Sequence, residues 1–253
     1  MTNEDAFLPR TLSDLRAAWA IARKDIKIYY LKPNIIMSGV LFPLFMFLAF
    51  AMGRNAPGGA LVPGLIAITA LFSGSTIEPV SIPIERRVKT FDRFFAAPIS
   101  LDAIVFGESL SGFLYSTAIG FVPLLIGMAF FGVSLGNPLV FLLGLGLASL
   151  CFAMMGTLFA AYPTESPGDV MSMVNLVRLP LIFVSGVFLP LAEMPAWGQT
   201  AALFSPLTYA NDLIRYSVDG TTQFGIFTGI AVLAGYTILF HLVAKGLYRK
   251  FND

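Results

Sequence analysis

Cysteine and histidine are almost missing from this sequence: Cys151 and His241 are the only ones among 253 residues. One thiol cannot build a disulfide framework, a zinc site or a dithiol redox pair within a chain. A metal centre or a Ser–His–Asp arrangement likewise has almost nothing to draw on. Cys151 therefore reads as a small apolar residue in a span, and His241 as an interfacial one. Charge is scarce as well, with 12% of residues Asp, Glu, Lys or Arg where a soluble domain averages about 25%. No GxxxxGK[ST] occurs and no glycine directly precedes any of the six lysines, so a phosphate-cradling loop is absent. The start, MTNEDAFLPRTLSDLR, lacks the basic-then-apolar order of a cleavable signal. The first span is expected to act as the insertion signal. A net charge of +1 names no partner, and none is expected among nucleic acids. No repeat period of the solenoid kind stands out.

What is abundant is apolar residues, 57% of the chain, with a mean hydropathy of +0.79. Several runs reach the roughly 20 residues needed to cross a bilayer. The expected fold class is an all-α integral membrane protein with six transmembrane helices, in one membrane domain over 34–244. The spans are placed at about Asn34–Met52, Leu61–Ile84, Ile104–Phe131, Leu139–Ala161, Val170–Leu189 and Phe224–Ala244. Residues 1–33 form an N-terminal segment and 245–253 a tail. Within 11–31, Leu12, Leu15, Trp19, Ala22, Ile26 and Tyr29 recur at spacings of three and four, bordered by Arg16, Arg23 and Lys27. This pattern fits an amphipathic helix lying in the membrane interface or packed on a partner.

The basic residues set the orientation. Six spans put both termini on one side, and with that side inside, 13 of the 16 Lys and Arg residues fall in inner segments. Only Arg54 and Arg215 lie outside, and Arg178 lies within the fifth span. The innermost charged stretch, Glu85–Ala103, combines Arg86, Arg87, Lys89 and Arg93 with Phe91, Phe94 and Phe95 before Pro98. It either presents aromatics to a cytoplasmic partner or packs them on its own spans. On the other side lies Leu181–Tyr216, which stops as a span at Pro190. It passes through a Pro- and Trp-containing segment and regains helical character after Pro206. Its residues 190–216 read as a re-entrant element, and such backbone is tolerated at membrane depth only against protein or a wet cavity.

Taken together, six spans, an amphipathic first helix, ERRVKTFDRFFAAPIS and FVSGVFLPLAEMPAWGQ…SPLTYANDLIR resemble the permease subunit of an ABC-2 type exporter over nearly the whole chain. The resemblance implies a transport subunit, not an enzyme, in a cell inner or cytoplasmic membrane with both termini cytoplasmic. It implies a second permease, as a homodimer, and a separate ABC ATPase subunit in two copies per complex. This chain would bind no cofactor; ATP and Mg would sit on the partner ATPase. The coupling helix of Arg86–Ser100 would rest in a groove of that ATPase, through Arg86, Arg87, Phe91, Arg93, Phe94, Phe95 and Pro98. The N-terminal helix would add a second contact, and Ala192–Tyr216 would cap the exit. Phe72, Phe183, Phe188 and Tyr209 are expected beside the substrate path, with Pro190, Pro195 and Trp197 at its gate. The implied function is efflux of a hydrophobic drug, a lipid or a lipid-linked glycan.

Glu78, Glu108 and Arg178 fall in the inner halves of their spans, where a charge costs about 2.5–3.5 kcal/mol at the membrane centre. Arg178 is expected either to pair with Glu78 or Glu108 or to snorkel alone. Two other functions stand beside efflux of an amphiphile: proton-driven secondary transport through Glu78 or Glu108, and polysaccharide export. An intramembrane enzyme is disfavoured by the shortage of His, Cys and paired carboxylates. Gly225-x-x-x-Gly229, Gly144 and Gly146 are candidates for close helix contact, within the chain or between copies.

Overall fold

The computed structural model describes residues 10–45 and 58–252. Within them every regular element is helical. Helix α1 is Arg10–Tyr29 and α2 Pro33–Ile36, which continues through a π-helical stretch at Met37–Leu41 and is helical again to Phe45. Then come α3 (Gly58–Gly74), α4 (Ile77–Arg87), α5 (Asp92–Ala96), α6 (Leu101–Phe131), α7 (Pro138–Ala160) and α8 (Pro167–Val184). A 3₁₀ turn at Leu191–Glu193 leads to α9 (Ala196–Leu203), α10 (Pro206–Asp219) and α11 (Ile226–Asn252). Among the described residues five stretches are long and apolar enough to cross a membrane: Gly59–Arg87, α6, α7, α8 and Ile226–Phe251. The first expected span, Asn34–Met52, lies partly outside the described residues, as does most of the turn expected at Arg54–Gly59.

Local sequence explains the helix ends. Ser100, Asn137 and Ser166 each accept a backbone N–H from the first turn of α6, α7 and α8, and Pro138 and Pro167 open the last two. Three expected boundaries move. The fifth span ends at Val184 rather than Leu189, because Gly186 turns left-handed with φ 77°. The sixth runs on through the tail to Asn252, because LYRKFN contains no helix breaker and Tyr248 is fully buried. The second span is two helices, interrupted at Ser75–Thr76.

The α3–α4 span is the hub of the bundle. Of its most apolar window 89% is buried, against 22% for α8 and 11% for α11, so those two helices present most of their surface to lipid or to a second chain. The main core unites Ile66, Leu71 and Phe72 of α3 with Phe141 and Phe152 of α7 and Leu207, Leu213 and Ile214 of α10. A second cluster at the basic end joins Ile82, Phe91, Val105, Met154 and Tyr248.

At the opposite end the chain re-enters the bundle. Tyr236 sits ten residues into α11, roughly 15 Å along it, and its hydroxyl donates to Phe204 O at 2.7 Å. The link between α9 and α10 therefore lies well below the end of α11. From there α10 climbs back, and Ser217 O accepts Asn137 N at 3.0 Å beside the start of α7. Leu213 is the residue that seats α10. A Cβ on Gly229 would lie 2.8 Å from Leu213 Cγ, and one on Gly144 would lie 3.1 Å from Leu213 Cβ. These two glycines thus serve a contact inside the chain, whereas Gly146 faces open space. Gly229→Ala is expected to destabilise the protein by about 1–3 kcal/mol through overpacking. Thermal melting in detergent measures this, and Gly229→Ala/Leu213→Ala should recover part of the loss.

Candidate functional site

The stretch from Glu85 to Ala103 closes the basic end of the bundle. After α4 the chain turns at Lys89, whose φ is 58°, and the short helix α5 follows. Phe91 is fully buried, edge-on to Phe94 and Phe95 at 5.8 and 5.5 Å and 5.9 Å from the Tyr248 ring of α11. The Arg86 guanidinium stacks on Phe91 at 5.1 Å and donates to Tyr162 O and Ala161 O. Phe91 and Arg86, expected to face a partner, thus spend their contacts on their own chain and anchor the segment. Arg87, Arg93 and Pro98 are exposed, and Phe94 and Phe95 are half-buried. These five make an outward surface that is basic and aromatic. Arg87 also donates to Glu165 O at 2.7 Å, tying the segment to the α7–α8 turn.

Helix α1 grips both ends of this segment. Asp14 Oδ1 accepts Ser100 N at 3.1 Å, and Lys24 Nζ donates to Glu85 Oε1 at 2.5 Å. Lys24 also lies 3.5 Å from Glu108 Oε1, 3.2 Å from Asp25 Oδ1 and 4.8 Å above the Phe94 ring. One ammonium therefore serves three carboxylates, of which Asp25, Glu85 and Glu108 are all buried. Burial by itself would lower the Lys24 pKa, but Glu108, Asp25 and Glu85 together hold it above its usual range. Burial pushes Asp25 up to about 6, against the pull of Lys24.

The stripe expected on α1 divides. Ala18, Ile21, Ala22, Asp25 and Tyr29 are buried against the bundle, whereas Leu12, Leu15 and Trp19 are exposed. The helix packs on protein with one face and keeps a separate apolar face free of its own chain. The charge cluster escaped sequence reasoning because its members lie up to 84 positions apart. The one local signal was Asp25, an acid next to Ala22, Ile26 and Tyr29 on the apolar face.

Arg178 was expected either to pair with Glu78 or Glu108 or to snorkel alone, and among the described residues it does neither. Glu108 faces Lys24. Arg178, fully buried, donates instead to Ser75 Oγ at 2.8 Å, Thr76 Oγ1 at 3.0 Å, Phe72 O at 3.3 Å, Ser75 O, and Asn175 Oδ1 at 3.3 Å. Its guanidinium stands 5.0 Å over the Phe72 ring. It lies 11 residues into α8, roughly 16 Å, deeper than expected because the helix starts at Pro167. Glu78 is in the first turn of α4 and accepts Gly112 N at 3.1 Å. Among the described residues no ion pair within 4.0 Å joins Arg178 to a carboxylate.

The far-end residues fall into two groups. Phe72 and Tyr209 belong to the packed core; Tyr209 stacks on Phe224 at 5.0 Å and donates to Leu203 O. Phe183 and Trp197 are exposed, Pro195 also, and Phe188 and Pro190 line the turn between them. Phe183 and Phe188 approach to 6.2 Å. A cavity of about 490 Å³ opens against Leu191, Ala196, Gln199, Leu203 and Phe224.

The sequence model of the family described as ABC-2 type transporter matches residues 16–218. The chain is 28% identical to the transport permease ycf38 of Cyanophora paradoxa, over 87% of this chain and 83% of that one. It is 28% identical to nodulation protein J of Rhizobium leguminosarum bv. viciae, over 75% and 73% of the two chains. It is 22% identical to the inner membrane transport permease YadH of Escherichia coli K12, over 75% and 74%.

Two outcomes test the α1 cluster. Lys24→Met strands three buried carboxylates and is expected to cost about 3–5 kcal/mol, read by thermal melting or by protease release of α1. Lys24→Met/Glu85→Gln/Glu108→Gln should regain most of it. Asp25 has a raised pKa in the folded chain, so its favourable contribution is complete below about pH 4 and is lost as pH rises through about 6. Stability measured across that window should therefore slope downward with pH, and Asp25→Asn should flatten the slope.

Proposed function

This chain belongs to the ABC-2 type transporter family, and from that premise we propose that it is the membrane-spanning permease of an ATP-driven exporter. It works as a homodimer on two copies of a separate ATPase, in a cytoplasmic membrane with both termini and the Glu85–Ala103 segment on the ATPase side. ATP and Mg are handled by that partner. The cargo is a hydrophobic or amphipathic molecule: a drug, a lipid or a lipid-linked glycan. The paucity of charge along the bundle supports this class over a free ion.

The observation that carries the reading is how α5 is held. It is fastened to α1 through Glu85 and Ser100, to α11 through Phe91 and Tyr248, and to the α7–α8 turn through Arg86 and Arg87. A push on its exposed face is thereby shared among four helices instead of being absorbed by a loose loop. Phe94, Phe95, Arg87, Arg93 and Pro98 supply a basic and aromatic face of the kind that makes interface anchors. ATPase closure would move both coupling helices, and the re-entrant element at Ala192–Tyr216 would release cargo outward. In this arrangement Phe183, Phe188 and Trp197 border the path between the two copies, and Phe72 and Tyr209 back it from within each chain.

Arg87→Glu/Arg93→Glu, or Phe94→Ala/Phe95→Ala, should release the ATPase from complex purified in detergent while leaving the permease folded. Phe91→Ala should instead lower thermal stability by about 3–5 kcal/mol. Undiminished co-purification with both surface variants would count against the coupling role. Transport that survives ATP depletion and collapses with the proton gradient would replace this reading by secondary transport.

A further inference from the structure

The break at Ser75–Thr76 divides the most buried span of the bundle, and its chemistry is specific. Pro79 has no N–H, so Ser75 O, four residues earlier, loses its helical donor. Ser75 and Thr76 also turn their hydroxyls back onto Leu71 O and Phe72 O, which competes with the regular ladder. Arg178 supplies what is missing. Its Nη2 donates to Ser75 O, Phe72 O and Thr76 Oγ1, and its Nε to Ser75 Oγ. A cation at the C-terminal end of α3 also suits the partial negative charge there.

Both halves of the span pack on α6, α7 and α8, but each has its own buried polar anchor at the break. The end of α3 is held by α8 through Arg178. The start of α4 is held by α6, where Glu78 accepts the Gly112 amide; a Cβ on Gly112 would lie 2.2 Å from Glu78 Oε1. The α3 half carries Phe72 under the guanidinium. The α4 half leads directly to Arg86, Arg87 and α5. A rotation at Ser75–Thr76 that slides α4 along α7 and α8 changes the angle between the halves while both polar anchors are kept.

We infer that Ser75–Thr76 is a hinge and that Arg178 is its positioning residue: a planar fork of donors that holds the orphaned carbonyl of Ser75 while the α4 half moves with the coupling helix. The inference rests on the permease reading above. It assigns to Pro79 the role of keeping the span discontinuous. Lysine is a poor substitute at 178, because one ammonium cannot reproduce the fork.

The test uses the full complex of this chain with its ATPase, in lipid nanodiscs. Spin labels at Ala60 and Val88, both exposed, flank the whole span, in a Cys151→Ala background that removes the only native thiol. The label-to-label distance is measured without nucleotide and after trapping with ATP, Mg and vanadate. The native span should shift on trapping. Pro79→Ala restores an N–H for Ser75 O, and should abolish the shift while preserving assembly, ATP hydrolysis and thermal stability. Arg178→Gln should broaden the distance in both states and lower thermal stability, with Arg178→Lys intermediate. Arg178→Gln/Pro79→Ala should regain the stability but not the shift, because the restored N–H satisfies Ser75 O and closes the break; the broadened distance in Arg178→Gln alone separates positioning from a purely structural role. A shift in Pro79→Ala equal to the native one overturns the hinge. So does a native span that stays rigid while its ATPase traps nucleotide. If no ATPase assembles with the chain at all, the permease reading falls and takes this inference with it.

Discussion

Pro79 leaves the carbonyl of Ser75 without a donor at a depth where water is excluded, and much of the bundle is arranged around that deficit. In a hydrocarbon setting an unpaired backbone group costs several kcal/mol. A soluble protein could let a water fill the position; a buried span has to bring a side chain. Arg178 does so from a different helix, at mid-depth, with four contacts to the break. The consequence is that α8 is registered against the α3–α4 span by a polar contact, although most of its surface faces outward. The same contact explains how a buried guanidinium persists with no carboxylate in direct contact among the described residues: backbone and hydroxyl oxygens and the end of α3 satisfy its donors.

The basic end obeys the same rule with charges in place of carbonyls. Asp25, Glu85 and Glu108 are buried beside one Lys24. That concentration makes the docking of α1 sensitive to a single side chain and to the protonation of Asp25. It also gives α1 two functions. One face locks the start and finish of the Glu85–Ala103 segment, and the opposite face, with Leu15 and Trp19, stays free of its own chain. Within the segment Phe91 is buried as the anchor, while Phe94, Phe95 and Arg93 face outward.

The far end uses shape instead of charge. Leu213 fits against Gly144 and Gly229, and α10 is thereby sunk among α3, α7 and α11. This places an interrupted, apolar element at the end of the bundle opposite the basic segment, with the broken span connecting them through the core. Under the proposed permease role, this layout sets the coupling segment and the release element at opposite ends of the bundle.

Membership in a membrane class, the positions of most spans and the special character of both Glu85–Ala103 and Leu181–Tyr216 were readable from the sequence. Apolar run length, proline placement and the segregation of basic residues are local quantities, and each has a direct physical meaning in a bilayer. The family was readable for the same reason, since its motifs are contiguous. What the sequence could not supply was partnership. That Arg178 would meet a helix break instead of Glu78, that Glu108 would meet Lys24, and that the glycines would receive Leu213 all depend on which helices become neighbours. Nothing in the local pattern encodes this. A proline announces an orphaned carbonyl, but only the packed bundle decides which side chain, a hundred residues away, comes to satisfy it.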